Sequence, residues 1–163
     1  SCCPSGLVGC FLSPPRRRCL RRPLRALMEK QPSALAETEH TAAEAFAVHC
    51  LCAEWCGTCR DYRPGFHALA GQFPGVRFVW LDIEERADDL GDLDVENFPT
   101  LLITRGDVVL FFGTMLPHLG HLQRTLEVFL AHGREESLVY AHSDSERRTW
   151  QANEDLRSIA HLM

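Results

Sequence analysis

Two cysteines two residues apart, Cys56 and Cys59, stand where an apolar run (residues 45–53) gives way to a helical stretch (residues 60–73). Such a pair at a strand-to-helix turn, inside a βαβ pattern, is a thiol–disulfide redox motif. The unpaired N–H groups and the macrodipole at a helix N-terminus favour negative charge. They therefore favour Cys56 as a thiolate nucleophile. Cys59 falls about one helical turn further on, within reach of a mixed disulfide formed on Cys56. The competing chemistry is metal binding. With Cys50 and Cys52 just upstream, four thiols fall within ten residues and next to His49, an inventory that suits zinc. Spacing opposes it. At about 3.3 Å per residue, an extended strand puts Cys52 roughly 13 Å before Cys56, and Cys50 farther. One tetrahedral ion would not collect all four, so the sequence predicts no metal site. Cys50 and Cys52 share a strand face. They read as small buried hydrophobes, with accessory redox thiols as the other reading.

The elements that must position this pair follow from periodicity. Residues 45–53 are apolar on both faces, as expected of a parallel strand covered by helices. Residues 56–73 predict a helix kinked near Pro64. Gly71 and Gly75 bracket the turn into the next strand, residues 76–83. The two strands and the helix make a right-handed βαβ unit. Residues 84–90 read as a short acidic helix. Residues 100–104 and 108–112 form an antiparallel hairpin across Arg105-Gly106-Asp107. Residues 117–131 form a helix with Leu119, Leu122, Leu126 and Phe129 at core spacing. Ser143-Asp144-Ser145-Glu146 is a capping box for one helix reaching Met163, which Trp150, Leu156 and Ile159 would dock on the body by default, with a partner as the alternative. Upstream, Ser33 caps a helix over residues 34–44. No strand precedes it, which would leave one sheet edge uncovered.

The stretch Ala53-Glu54-Trp55-Cys56-Gly57-Thr58-Cys59, with Pro64 five residues after Cys59, resembles the active-site segment of thioredoxins. Asn97-Phe98-Pro99-Thr100-Leu101-Leu102-Ile103 is similar to that family's cis-proline segment. Arg105-Gly106-Asp107 stands at its hairpin turn and Gly113 at its late glycine. The resemblance covers residues 45–132, with the motifs in family order. It implies a thioredoxin-like α/β fold: a mixed sheet flanked by helices, here with its first strand missing and a C-terminal helix added. It implies Cys56 as nucleophile and Cys59 as resolving thiol. Trp55, Gly57, Thr58, Phe98 and Pro99 would form the substrate-binding surface, with Pro99 cis. The activity implied is thiol–disulfide exchange on protein disulfides, as a reductase, with no bound cofactor. Electrons would come from a partner reductase or a small thiol. The alternative is a non-catalytic docking module of the same fold with a silent pair. The departures bear on chemistry. Thr58 replaces the family's proline, Cys50 its buried aspartate, Trp80 the lysine paired with that aspartate, and Cys52 its strand tryptophan.

The whole chain bounds these readings. Its 163 residues and 45% hydrophobic content suit one globular domain. No apolar run is long enough to span a membrane. Net charge is −5, yet residues 1–27 carry six arginines and no acid, so the remainder carries −11. An acidic body argues against nucleic-acid binding. The expected state is a monomer that engages neither nucleic acid nor membrane. Residues 60–163 hold none of the eight cysteines, which is not the spread of a disulfide framework. That places the chain in a reducing compartment, the cytoplasm, with periplasmic export left open. Residues 1–27, rich in proline and arginine, read as a disordered tail, and Met28 as an alternative start. The organisation expected is therefore a tail over 1–27, a thioredoxin-like domain over 28–132 and a helical extension over 133–163.

Overall fold

A computed structural model describes residues 45–163. The expectations for the tail, for Met28, for the helix over 34–44 and for a missing first strand lie outside those residues. Ten elements follow in order. They are β1 (Phe46–Cys52), α1 (Gly57–Ala70), β2 (Val76–Asp82), α2 (Ala87–Leu90), β3 (Thr100–Arg105), β4 (Val108–Thr114), α3 (Leu119–Ala131), α4 (Arg134–Ala141), α5 (Ser145–Ala152) and α6 (Glu154–Ala160). The described strands form one mixed sheet in the order β2-β1-β3-β4. β1 runs parallel to β2 and antiparallel to β3, and β3 pairs antiparallel with β4. This is the mixed α/β sheet that the family resemblance implies.

All seven residues of β1 are buried, because both faces of this central strand are covered. Successive side chains alternate between faces. Phe46, Val48, Cys50 and Cys52 join one apolar layer with Cys59, Tyr62, Phe66 and Leu69 of α1 and Leu122, Leu126 and Phe129 of α3. The spacings in α1 and α3 are three and four residues, so each helix turns a single stripe inward. α1 and α3 meet closely at Gly65, where a Cβ would collide with the Leu119 side chain. Leu51 faces the other way. It joins Val79, Leu81, Leu102 and Val109 of the sheet and Leu156, Ile159 and Ala160 of α6.

The C-terminal segment is thus part of the second layer, as the apolar positions Leu156 and Ile159 predict. It differs from expectation in being three short helices. Asn153 breaks the predicted single helix. Its backbone is extended (φ −80°, ψ 117°), and its side chain accepts from Leu156 N at 3.1 Å to start α6. The cap of α5 is Asp144, one residue beyond the predicted Ser143, accepting from Arg147 N at 2.9 Å. Polar side chains then fasten the helices. Arg105 donates to the His132 carbonyl at 2.8 Å and to Ser137 Oγ at 3.0 Å. The Gln151 amide accepts from Val109 N (3.0 Å) and donates to Val109 O (2.7 Å). In that way it satisfies backbone groups on edge strand β4 that would otherwise invite strand addition. The predicted helix over 84–90 shortens to α2, because Asp82 Oδ1 accepts from Glu84 N and Glu85 N and holds that stretch as a turn. Among the described residues no helix is long and apolar enough to cross a membrane.

One buried polar group gives this face a pH dependence. His49 is fully buried on the Leu51 face, and its Nε2 donates to the Leu162 carbonyl at 3.2 Å. Burial lowers its pKa to about 4, against the raising effect of that hydrogen bond and with the help of the Arg77 and His161 charges. Between the ordinary value of 6.5 and about 4, the unfolded chain binds the proton and the folded one does not. The neutral imidazole's contribution is present above pH 6.5 and is lost as pH falls toward 4. Unfolding by urea should lose about 3 kcal/mol from this source across that window. His49→Gln keeps a donor for Leu162 and removes the titration. The difference between the two pH profiles should carry the loss, and parallel profiles would show that His49 does not cause it.

Candidate active site

β1 ends at Cys52, and the chain turns back at once. Cys56 N donates to the Ala53 carbonyl at 3.0 Å. Cys56 is the N-cap of α1, with extended backbone, and its own carbonyl accepts from Arg60 N at 3.1 Å. It is half-buried and its thiol is free. Gly57 and Thr58 are exposed in the first helical turn, and Cys59 faces inward, 1% exposed. The predicted nucleophile therefore opens to solvent and the predicted resolving thiol does not.

Cys59 is joined by a disulfide to Cys52, with their Cα atoms 5.9 Å apart. This corrects the reading of Cys52 as a free buried hydrophobe. Cys52 reaches Cys59 because the strand stops at Cys52. The turn over residues 53–55 folds the chain back, so Cys52 looks into the first turn of α1 instead of lying far behind it. The signal was in the sequence as the thiol-rich run Cys50-x-Cys52 immediately before the motif. Cys50 is a free, fully buried thiol, as expected, and its Sγ lies 3.9 Å from that of Cys52. Burial pushes the Cys50 thiol pKa up strongly. Tyr62 is also raised, first by burial and then by Cys50. Among the described residues no three His, Cys, Asp or Glu side chains converge as a metal ion would require.

Trp55 precedes Cys56 in the turn before α1, and Phe98 and Pro99 immediately precede β3. The Phe98–Pro99 peptide bond is cis. Pro99 is buried and Phe98 half-buried. Trp55 is 62% exposed, and its ring meets that of Phe98 edge-on, with centroids 5.6 Å apart. This contact joins the turn before α1 to the segment before β3, which are distant in sequence. Trp55 Nε1 donates to Glu84 Oε1 at 3.1 Å. Glu84 was missed by sequence reasoning, since nothing local links residues 29 positions apart. Glu54 is exposed, and its carbonyl accepts from Arg60 at 3.0 Å. Trp80 pairs in register with Cys50 on the neighbouring strand. Its ring lies 5.7 Å from Phe66 and carries the Arg63 guanidinium 5.3 Å above it.

A free thiol at a helix N-cap, a second cysteine in the same turn and a cis-proline segment whose Phe98 meets Trp55 make an arrangement chemically suited to thiol–disulfide exchange. The thioredoxin family model matches residues 34–113. Thioredoxin of Gallus gallus is 34% identical over 76 residues, which are 45% of this chain and 72% of that protein. Thioredoxin H2 of Arabidopsis thaliana is 44% identical over 55 residues, 33% of this chain and 41% of that protein. The match thus spans less than half of the plant relative. The crystal structure of thioredoxin from Trypanosoma brucei brucei has the same fold, with a TM-score of 0.50 at 22% identity over 61% of this chain and 88% of that one. The chain belongs to the thioredoxin family.

Proposed function

We propose that this protein is a thiol–disulfide oxidoreductase that reduces protein disulfides, with Cys56 as nucleophile and Cys59 as resolving thiol. The observation that carries this is the free, half-buried Cys56 thiol at the N-cap of α1. It is one turn from the inward-facing Cys59 and beside the exposed Trp55. The Cys56 thiolate attacks one sulfur of the substrate disulfide, and the other sulfur leaves as a thiolate. Cys59 then attacks Cys56 Sγ, a Cys56–Cys59 bond forms, and the second substrate thiolate leaves. For Cys59 to act, its bond to Cys52 must first be reduced. The electrons come from a partner reductase or a small thiol, in a reducing compartment such as the cytoplasm.

Trp55 and Phe98 give the site an apolar lip, and Gly57, Thr58 and Pro99 complete the docking surface for an extended substrate chain. An exposed tryptophan next to a nucleophile suits a polypeptide better than a small thiol, because the ring offers a large apolar contact at low entropic cost. Insulin reduction in the presence of dithiothreitol tests the proposal. The expected result is precipitation of the insulin B chain well ahead of dithiothreitol alone. A rate equal to that of dithiothreitol alone would make this a docking module with a silent pair.

A further inference from the structure

We infer that Cys52 is a third redox sulfur of this site, and that the oxidised protein keeps its disulfide between Cys52 and Cys59, leaving Cys56 free. This deepens the exchange reading above and rests on it. Three observations carry it. Cys59 is bonded to Cys52, while Cys56, its partner in the motif, is a free thiol. Both bonded cysteines are 1% exposed, whereas Cys56 opens to solvent. Cys52 closes the strand and Cys56 caps the start of α1, so Cys59 is bonded to a sulfur on the strand and stands three residues after another at the helix start.

The added step is an exchange within the protein. Once Cys56–Cys59 has formed, the Cys52 thiol loses its proton and attacks Cys59 Sγ. The Cys52–Cys59 bond forms, the Cys56–Cys59 bond breaks, and Cys56 leaves as a thiolate that takes up a proton from solvent. No electrons enter or leave in this step. Over the whole cycle the substrate disulfide gains two electrons, and the Cys52 and Cys59 thiols supply them. Cys52 pairs in register with Asp82 across the parallel strands. Asp82 and Cys59 line one small cleft of about 30 Å³.

The consequence separates this site from a two-cysteine one. A Cys56–Cys59 bond has one sulfur at the surface, where any thiol reaches it. A Cys52–Cys59 bond is shielded, because exchange requires access to a sulfur. The incoming reductant must then act through Cys56, which attacks Cys59 and brings the bond back to the surface. The oxidised protein also retains an accessible nucleophilic thiol.

Peptide mapping of the full chain tests this directly. The reduced protein is oxidised with one equivalent of diamide, quenched in acid, alkylated with N-ethylmaleimide and cut with trypsin and Glu-C. Cleavage after Glu44, Glu54 and Arg60 separates residues 45–54 from residues 55–60. The expected main product is a cross-link of these two peptides with one maleimide on Cys56 and one on Cys50, several-fold above any internally linked 55–60 peptide. Cys50→Ala should keep the cross-link. Cys52→Ala should convert it to the internal Cys56–Cys59 link, with loss of maleimide at Cys56. A predominance of internally linked 55–60 peptide in the wild type would overturn the inference, as would any other main product in which Cys56 is blocked. A cross-link surviving Cys52→Ala would also overturn it. Insulin reduction by the same preparation reports on the exchange reading separately, so failure of one is not mistaken for failure of the other.

Discussion

Cys56→Ser should reduce insulin-reducing turnover to the background of the small thiol, a loss of roughly 10³-fold or more. The serine hydroxyl is nearly isosteric but is not ionised near neutral pH, so no mixed disulfide forms. The fold should not notice. Cys56 is half-buried at a helix start, makes no disulfide, and has no side-chain capping bond to lose. Cys59→Ser provides the contrast. It too should stop turnover, but it also removes the Cys52–Cys59 cross-link, which closes a loop of seven residues' separation. Under non-reducing conditions that should cost about 2 kcal/mol by the loop-entropy account. Circular dichroism melts of the two variants, without reductant, separate a purely chemical cysteine from one that is also structural. An equal loss of stability in Cys56→Ser would mean that Cys56 holds the turn together and that its loss of activity says little about chemistry.

Cys50→Asp should destabilise the protein by roughly 3–5 kcal/mol at neutral pH. Cys50 is fully buried, and burial already pushes its weakly acidic thiol toward the neutral form. A carboxylate there would lack the cationic partner that the family supplies, because its register neighbour is Trp80. Replacing the aspartate and its lysine together avoids leaving a single buried charge, so the joint change is physically coherent. Cys50→Asp with Trp80→Lys should recover part of the loss, though not all. Trp80 packs against Phe66 and lies under Arg63, so the lysine gives up ring contacts and meets a like charge. Urea denaturation of the wild type, the single variant and the double variant measures this. A single variant as stable as the wild type would show that a charge at position 50 finds a partner or water, and that the pairing account is wrong.

Much of the described fold was legible because its signals are local. β1 reads as continuously apolar because helices cover both its faces. α1 and α3 show their inward stripes directly in residue spacing. Arg105-Gly106-Asp107 announces the hairpin, with Gly106 at a positive φ of 54°. Of the candidate site, the placement of Cys56 and Cys59 at the start of α1 was legible in the same local way, and Trp55 meets Phe98. What escaped depended on where a regular element stops. The estimate of about 13 Å between Cys52 and Cys56 assumed an extended chain, and a turn one residue beyond Cys52 removed that assumption. The same holds for the C-terminal segment. Its apolar positions were visible, but Asn153 as a break, the Gln151 amide on edge strand β4 and the Glu84 carboxylate on Trp55 are tertiary contacts with no periodic trace.

Trapping the intermediate tests most directly whether Cys56 attacks disulfides in polypeptides. A variant with Cys52→Ser and Cys59→Ser has no sulfur that can resolve the mixed disulfide at this site. Reduced, desalted and incubated with native insulin, it should accumulate a covalent insulin-chain adduct that dithiothreitol releases. Mass mapping after digestion should place the bond on Cys56. An adduct on Cys50, or no adduct at all, would contradict the account.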